Sequence, residues 1–218
     1  MFNGKYSKAL TVLLVIVIIG IVGTLAYFLY DIFVIKAKND KAQEILDEFS
    51  RSTIQKRESD DQSETTANKL SDINSVETAE PAGKLYMEGY EVMGTIAIPK
   101  TGIEYPILSS VTKKSLETSV AILYGVGLNQ PGNTTIVGHN YRNGLFFSDN
   151  KKLSKGDIIK ITDQSGTMVT YEIYDMFQTS PSDAGYMQRD TEGKREISLS
   201  TCTDDSSARL IILAREKE

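Results

Sequence analysis

Residues 9–30 carry no charged side chain: 22 consecutive positions drawn mostly from Val, Ile, Leu and Gly. As a helix rising about 1.5 Å per residue, such a run crosses a hydrocarbon core of about 30 Å. The rest of the chain must then fold outside the bilayer and without this segment. A cleaved leader is the competing reading, but its apolar core is usually about 7–15 residues and ends at a small-x-small site. Thr24-Leu25-Ala26 matches such a site poorly, and Phe28, Leu29, Ile32, Phe33, Val34 and Ile35 carry the apolar character past it. Residues 9–35 are therefore expected to be an uncleaved transmembrane anchor behind a short leader, 1–8. Lysines flank both sides, so counting positive charges does not orient the segment. The very short basic leader places the N-terminus in the cytoplasm and residues 36–218 outside.

Residues 36–83 read as a linker. Ala37, Ala42, Ile45, Leu46 and Phe49 recur at helical intervals and extend the helix a few turns. From 51 to 80 the only large apolar residues are Ile54, Leu70, Ile73 and Val76, too few to offset the ordering entropy of a fold, so a flexible stalk is expected. The head, 84–218, reads as β-rich. Candidate strands lie at 93–98, 104–107, 134–139, 157–162, 167–178, 196–202 and 209–215, with turn signals such as Pro99-Lys-Thr-Gly102, Gln130-Pro-Gly-Asn133 and Ser180-Pro-Ser-Asp183 between them. Seven or eight short strands predict a closed barrel or a sandwich. Helices are expected only near 87–90 and 113–117. A net charge of −5 with no basic stripe argues against a nucleic-acid partner.

The chain has one cysteine, Cys202, and one histidine, His139. A single cysteine excludes an internal disulfide, so the head must be stable on its core alone. A free thiol outside the cytoplasm is open to oxidation and needs a reason to be there. In 196–202, Ile197, Leu199 and Thr201 point one way and Ser198, Ser200 and Cys202 the other. Arg209, Ile211 and Leu213 share a face of the next strand. Pairing of these strands across 203–208 brings Arg209 to Cys202. His139 also closes a strand, after Gly138, which permits close backbone approach. A thiol, an imidazole and a guanidinium at strand ends are the parts of a thiolate acyl-transfer enzyme, because only the thiolate is strongly nucleophilic and neighbouring cations favour it. Taken singly, each residue has an ordinary reading: a small buried cysteine, a rim histidine, a solvated arginine.

Asn133-Thr-Thr-Ile-Val-Gly-His139, Leu153-Ser-Lys-Gly-Asp157, Ser198-Leu-Ser-Thr-Cys202 and Arg209, seven residues beyond the cysteine, stand in the order found in sortases. Over roughly 90–218 the chain resembles that family of Gram-positive cysteine transpeptidases. The resemblance implies a closed, mainly antiparallel β-barrel of about eight strands. It implies Cys202 as the nucleophile on an LPxTG-like sorting signal, His139 as general acid then base, and Arg209 on the substrate backbone and oxyanion. Thr201 and Asn140 are weaker candidates for oxyanion or substrate support; loop and ladder roles are the ordinary readings. The implied partners are secreted proteins with C-terminal sorting signals, and a peptidoglycan-precursor or pilin amine as acceptor.

Calcium-dependent members carry carboxylates in two loops. Here 124–133 contains no Asp or Glu, and Gln188 and Arg189 stand near the second position. A hard cation wants several oxygen ligands, so no cofactor and no calcium requirement are expected. The short separation of His139 and Cys202, without an Asp-Pro-aromatic lid motif or a C-terminal membrane segment, leads to a compact class A- or D-like member. A pilin-polymerising or pilus-anchoring enzyme and an inactive binding module are the alternatives. The L,D-transpeptidases and the NlpC/P60 peptidases are disfavoured because their Cys and His stand in other arrangements.

Overall fold

The computed structural model describes residues 4–64 and 84–218. It divides into two compact units, Met1–Lys41 and Ala42–Glu218. Helix α1 spans Gly4–Glu64. Within the first unit its stretch Leu10–Val34 is long and apolar enough to cross a membrane, and its large side chains are exposed.

In the second unit α1 continues past Arg51, where the sequence leads one to expect a flexible segment, as far as Glu64. No Gly or Pro occurs between Gly23 and Pro81, so nothing in the covalent chemistry breaks the helix. The remainder of the expected stalk, 65–83, lies outside the described residues. Ala42, Leu46 and Phe49 are buried along one face, at the i, i+4, i+7 spacing of an amphipathic helix. Phe49 joins Met87, Val92, Leu108 and Ala121 in a core cluster, with Ile45, Leu85, Tyr90, Val111 and Leu116 packed against it.

The strands are β1 (Tyr86–Met87), β2 (Tyr90–Ile98), β3 (Ile103–Leu108), β4 (Val120–Gly125), β5 (Gly132–Val137), β6 (Ile158–Asp163), β7 (Met168–Thr179), β8 (Arg195–Cys202) and β9 (Arg209–Glu216), with helix α2 at Lys113–Thr118. Their order is β1-β2-β3-β4-β5-β8-β9-β7-β6, and β6 pairs back with β2. The fold is thus a closed eight-stranded barrel, β2 through β9, with β1 as an outlying hairpin partner of β2. Only β3–β4 and β5–β8 pair in parallel. Closure removes the sheet edges and sends Ile96, Ile98, Ile107, Ile136, Ile159, Ile161 and Leu199 into the interior.

The helix expected near 87–90 is instead a tight hairpin turn. Glu88 (φ 53°) and Gly89 (φ 86°) are both left-handed, the conformation that matches the twist of two antiparallel strands and that an α-helix cannot accommodate. Strand β4 is an addition to the expected set.

Candidate active site

Antiparallel register across β8 and β9 opposes Cys202 to Arg209. The connecting loop is locked by its own polar groups. Thr203 N donates to Ala208 O at 3.0 Å, and Asp205 accepts from the Thr203 and Ser207 hydroxyls. Those hydrogen bonds, Thr203 first, pull the Asp205 carboxyl down to about 2. With the loop held, Arg209 Nη1 donates to Cys202 Sγ at 2.8 Å.

His139 arrives from the other side. The parallel pairing of β5 with β8 opposes Val137 to Ser200, and Gly138 N continues it by donating to Ser200 O at 3.2 Å. His139 follows, two residues beyond the end of β5, and lines the same cavity as Cys202. Gly138 is needed for this approach: a Cβ there would stand 2.9 Å from both Phe147 and Val120. The His139 ring lies against Tyr141, centroids 4.9 Å apart. Burial, then the charge of Glu117, raises the Tyr141 phenol above its ordinary value, so it remains a neutral neighbour.

His139, Cys202 and Arg209 share one cavity of about 270 Å³. Its other walls are largely apolar: Val111 just before α2 and Leu116 within it, Leu123 on β4, and Tyr186 and Met187 from the β7–β8 connection. A second cavity, about 310 Å³, opens on Cys202 beside Asn140, Ser148, Lys151, Asp204 and Asp205. The nucleophile candidate therefore stands between an apolar groove and a polar one.

The two weaker candidates act on the backbone around this junction. Asn140 Nδ2 donates to Cys202 O at 3.0 Å and to Asp204 Oδ1 at 2.9 Å, tying the turn after His139 to the loop after Cys202. Lys151, then Asn140, holds the Asp204 carboxyl below its usual range. Thr201 is buried, and its hydroxyl donates to Gly138 O at 2.8 Å, joining β8 to β5 directly ahead of His139. Thr201→Val keeps the shape and leaves that carbonyl unpaired, an expected loss of about 1–3 kcal/mol. Thermal unfolding reads it as a fall of about 2–4 °C per kcal/mol, and an unchanged Tm would show the bond to be neutral.

Sequence reasoning missed the layer beneath the apolar groove. Glu196, Ser198, Ser200 and Cys202 alternate on one face of β8, and residues from 185–189 cover it. Arg189 pairs with Glu196 at 2.7 Å and donates to Ser198 Oγ at 2.6 Å and Tyr186 O at 2.8 Å. Asn133 accepts from Ser198 and donates to Met187 O at 2.9 Å, and Tyr186 OH reaches Ser200. Tyr186 also packs on Ile211 and Leu213 of β9. The available signal was a polar face on a strand whose opposite residues, Ile197 and Leu199, enter the core: such a face needs a cover. Among the described residues no group of three or more His, Cys, Asp or Glu is placed to hold a metal ion.

Residues 96–217 match the family model described as Sortase domain. Sortase A of Bacillus anthracis is 32% identical over 125 residues, which cover 56% of this chain and 58% of that protein. The match thus spans less than two thirds of that relative. Among solved structures, a lid mutant of sortase A from Corynebacterium diphtheriae superposes with a TM-score of 0.53 at 28% identity, over 58% of this chain and 70% of that one. A Clostridium perfringens sortase D5 transpeptidase shares the fold with a TM-score of 0.58 at 24% identity, over 83% and 98% of the two chains.

Proposed function

The chain belongs to the sortase family, and on that premise we propose that it is a membrane-anchored cysteine transpeptidase acting on an LPxTG-like sorting signal. The Cys202 sulfur attacks the threonine carbonyl carbon. Arg209 stabilises the charge that develops on the carbonyl oxygen. The carbon–nitrogen bond to glycine then breaks as His139 protonates the leaving amine, leaving a thioester. An acceptor amine from a wall precursor or a pilin attacks that carbonyl and loses its proton to His139; the new amide forms as the carbon–sulfur bond breaks and Cys202 leaves as thiolate, with His139 protonated for the next cycle.

The observation that carries this reading is the Arg209 guanidinium 2.8 Å from the Cys202 sulfur, in a cavity lined by His139 as well. The apolar walls of that cavity suit the Leu-Pro portion of the donor. Thr201 and Asn140 support the reacting backbone by holding the Gly138 and Cys202 carbonyls. The candidate span Leu10–Val34 supports anchorage; the short basic leader is the ground for proposing the N-terminus in the cytoplasm and the barrel outside. A compact class A- or D-like enzyme without a calcium requirement completes the proposal. Supporting it, Arg189 brings a fixed positive charge, paired with Glu196, to the loop where dependent members place a carboxylate.

The test is mass spectrometry of the detergent-solubilised chain incubated with LPxTG-type peptides and a small amine, with calcium or with chelator. The expected result is an acyl adduct on Cys202 and an amine-capped product, at equal rates in both conditions. Absence of any adduct across a peptide library would favour the inactive binding module. Transfer only to lysine-bearing pilin domains would favour pilus assembly, and loss of activity in chelator would defeat calcium independence.

A further inference from the structure

Val111 and Leu116 belong to two groups at once. They line the groove that holds His139, Cys202 and Arg209, and they pack against the cluster built on Phe49, Met87, Val92, Leu108 and Ala121. Between them, Thr112 caps α2: its hydroxyl accepts from Ser115 N at 3.0 Å, and Ser115 Oγ accepts from Thr112 N at 2.8 Å. The same Thr112 hydroxyl meets Tyr90 OH at 2.6 Å, and Tyr90 packs on the cluster too. The groove wall therefore backs onto the cluster. α1 contributes to that cluster Phe49, which is 4% exposed, and Ile45, which packs against it.

We infer that Phe49, assisted by Ile45, is a positioning residue for donor-peptide binding: α1 acts as a buttress that holds the Val111–Leu116 wall in place. Neither side chain lines the groove. Interiors are close-packed and transmit displacement, so a void opened in the cluster behind the wall moves the wall. The wall touches the part of a peptide that is held, whereas the sulfur and guanidinium lie on β8 and β9, which pair with each other independently of α1. Loss of the buttress therefore weakens binding more than chemistry. This inference rests on the transpeptidase reading for its kinetic arm only.

The experiment uses the full chain in detergent with Phe49→Ala, the milder Phe49→Leu and Ile45→Val, and Ile54→Ala as a control on an exposed residue of α1. Phe49→Ala is expected to raise KM for the sorting peptide about five- to tenfold with kcat within about twofold. Alkylation of Cys202 by a small neutral reagent is expected to stay unchanged. Phe49→Leu should recover most of the loss, Ile45→Val should show a smaller one, and Ile54→Ala should match wild type. Amide hydrogen exchange reads the same support without turnover: about tenfold faster opening at 111–118 in Phe49→Ala, with 196–202 unaffected. If Phe49→Ala does not fold, Phe49→Leu and Ile45→Val carry both readouts. Unchanged KM, or unchanged exchange at 111–118, would overturn the inference. A wild-type chain that forms no thioester would instead sink the transpeptidase reading, and exchange alone would then decide the buttress.

Discussion

Cys202→Ala is expected to abolish thioester formation, and Arg209→Ala to lower the acylation rate by about 10²–10³, the range for removing a preorganised donor from a developing oxyanion. The larger end applies because Arg209 contacts the sulfur itself, at 2.8 Å, and so also opposes the charge of the attacking thiolate. Arg209→Lys returns a positive charge but not the planar fork, and its single ammonium cannot serve sulfur and carbonyl oxygen with fixed geometry, so recovery should be partial. Rapid-quench measurement of single-turnover acylation separates this step from amine attack. Arg209 stands half-buried at the end of its strand, so the variants should unfold within a few degrees of the parent. An Arg209→Ala protein that acylates within tenfold of wild type would remove the guanidinium from the mechanism.

Glu196 is the second site of large expected effect. Its carboxylate is 1% exposed and bound by two guanidiniums, Arg189 at 2.7 Å and Arg215 at 2.7 Å, and by Tyr174 OH at 2.8 Å. Removing one member of such a group leaves a buried charge without its partner, a loss of about 3–5 kcal/mol. Arg215 is 45% exposed and can regain water, which puts Glu196→Ala at the lower end of that range. The midpoint should fall by roughly 6–12 °C. Burial alone pushes the Glu196 carboxyl up, but hydrogen bonds from Arg215, Tyr174 and Arg189 outweigh it and hold the group below the ordinary 4.5. A carboxylate depressed in the folded state stabilises fully above its unfolded value, and that contribution fades as pH falls from about 4.5 through the folded value. Denaturant titrations should therefore show wild type losing stability below about pH 4.5 more steeply than Glu196→Ala. Parallel curves would show that the ion group does not stabilise the fold. Because Arg189 also holds the Tyr186 and Ser198 side of the groove, KM for the peptide should rise in the same variant.

Most of the site was legible because it depends on short separations. Cys202 and Arg209 flank the loop of one hairpin, so pairing across 203–208 was enough to oppose them. The strand end at Cys202 could be read from an apolar run; the strand expected to close at His139 ends instead at Val137, and the approach of His139 to Cys202 follows a parallel pairing of β5 with β8, strands far apart in the chain, which local pattern does not encode. For that step the motif order was needed. Residues 87–90 misled because Met and Tyr flank two residues whose left-handed conformations are visible only once β1 and β2 pair. Strand β4 was missed although Val120-Ala-Ile-Leu-Tyr is an apolar run, because no turn signal separates it from the short helix before it. The region from Arg51 to Glu64 was read as unstructured from its lack of apolar content, yet the lack of Gly and Pro is what governs whether a helix already begun continues.

Period and separation, which a linear sequence carries, determined the apolar N-terminal run, the β-rich head and the hairpin that joins a thiol to a guanidinium. Only the tertiary structure decided what lies on either side of them: Arg189 over the polar face of β8, Glu196 between two arginines, Phe49 in the cluster against which Val111 and Leu116 pack. These depend on shape and charge complementarity between segments distant along the chain. Any exposed arginine or helix-face phenylalanine could have met that requirement as well on sequence grounds, and only closure of the barrel selects the ones that come within contact.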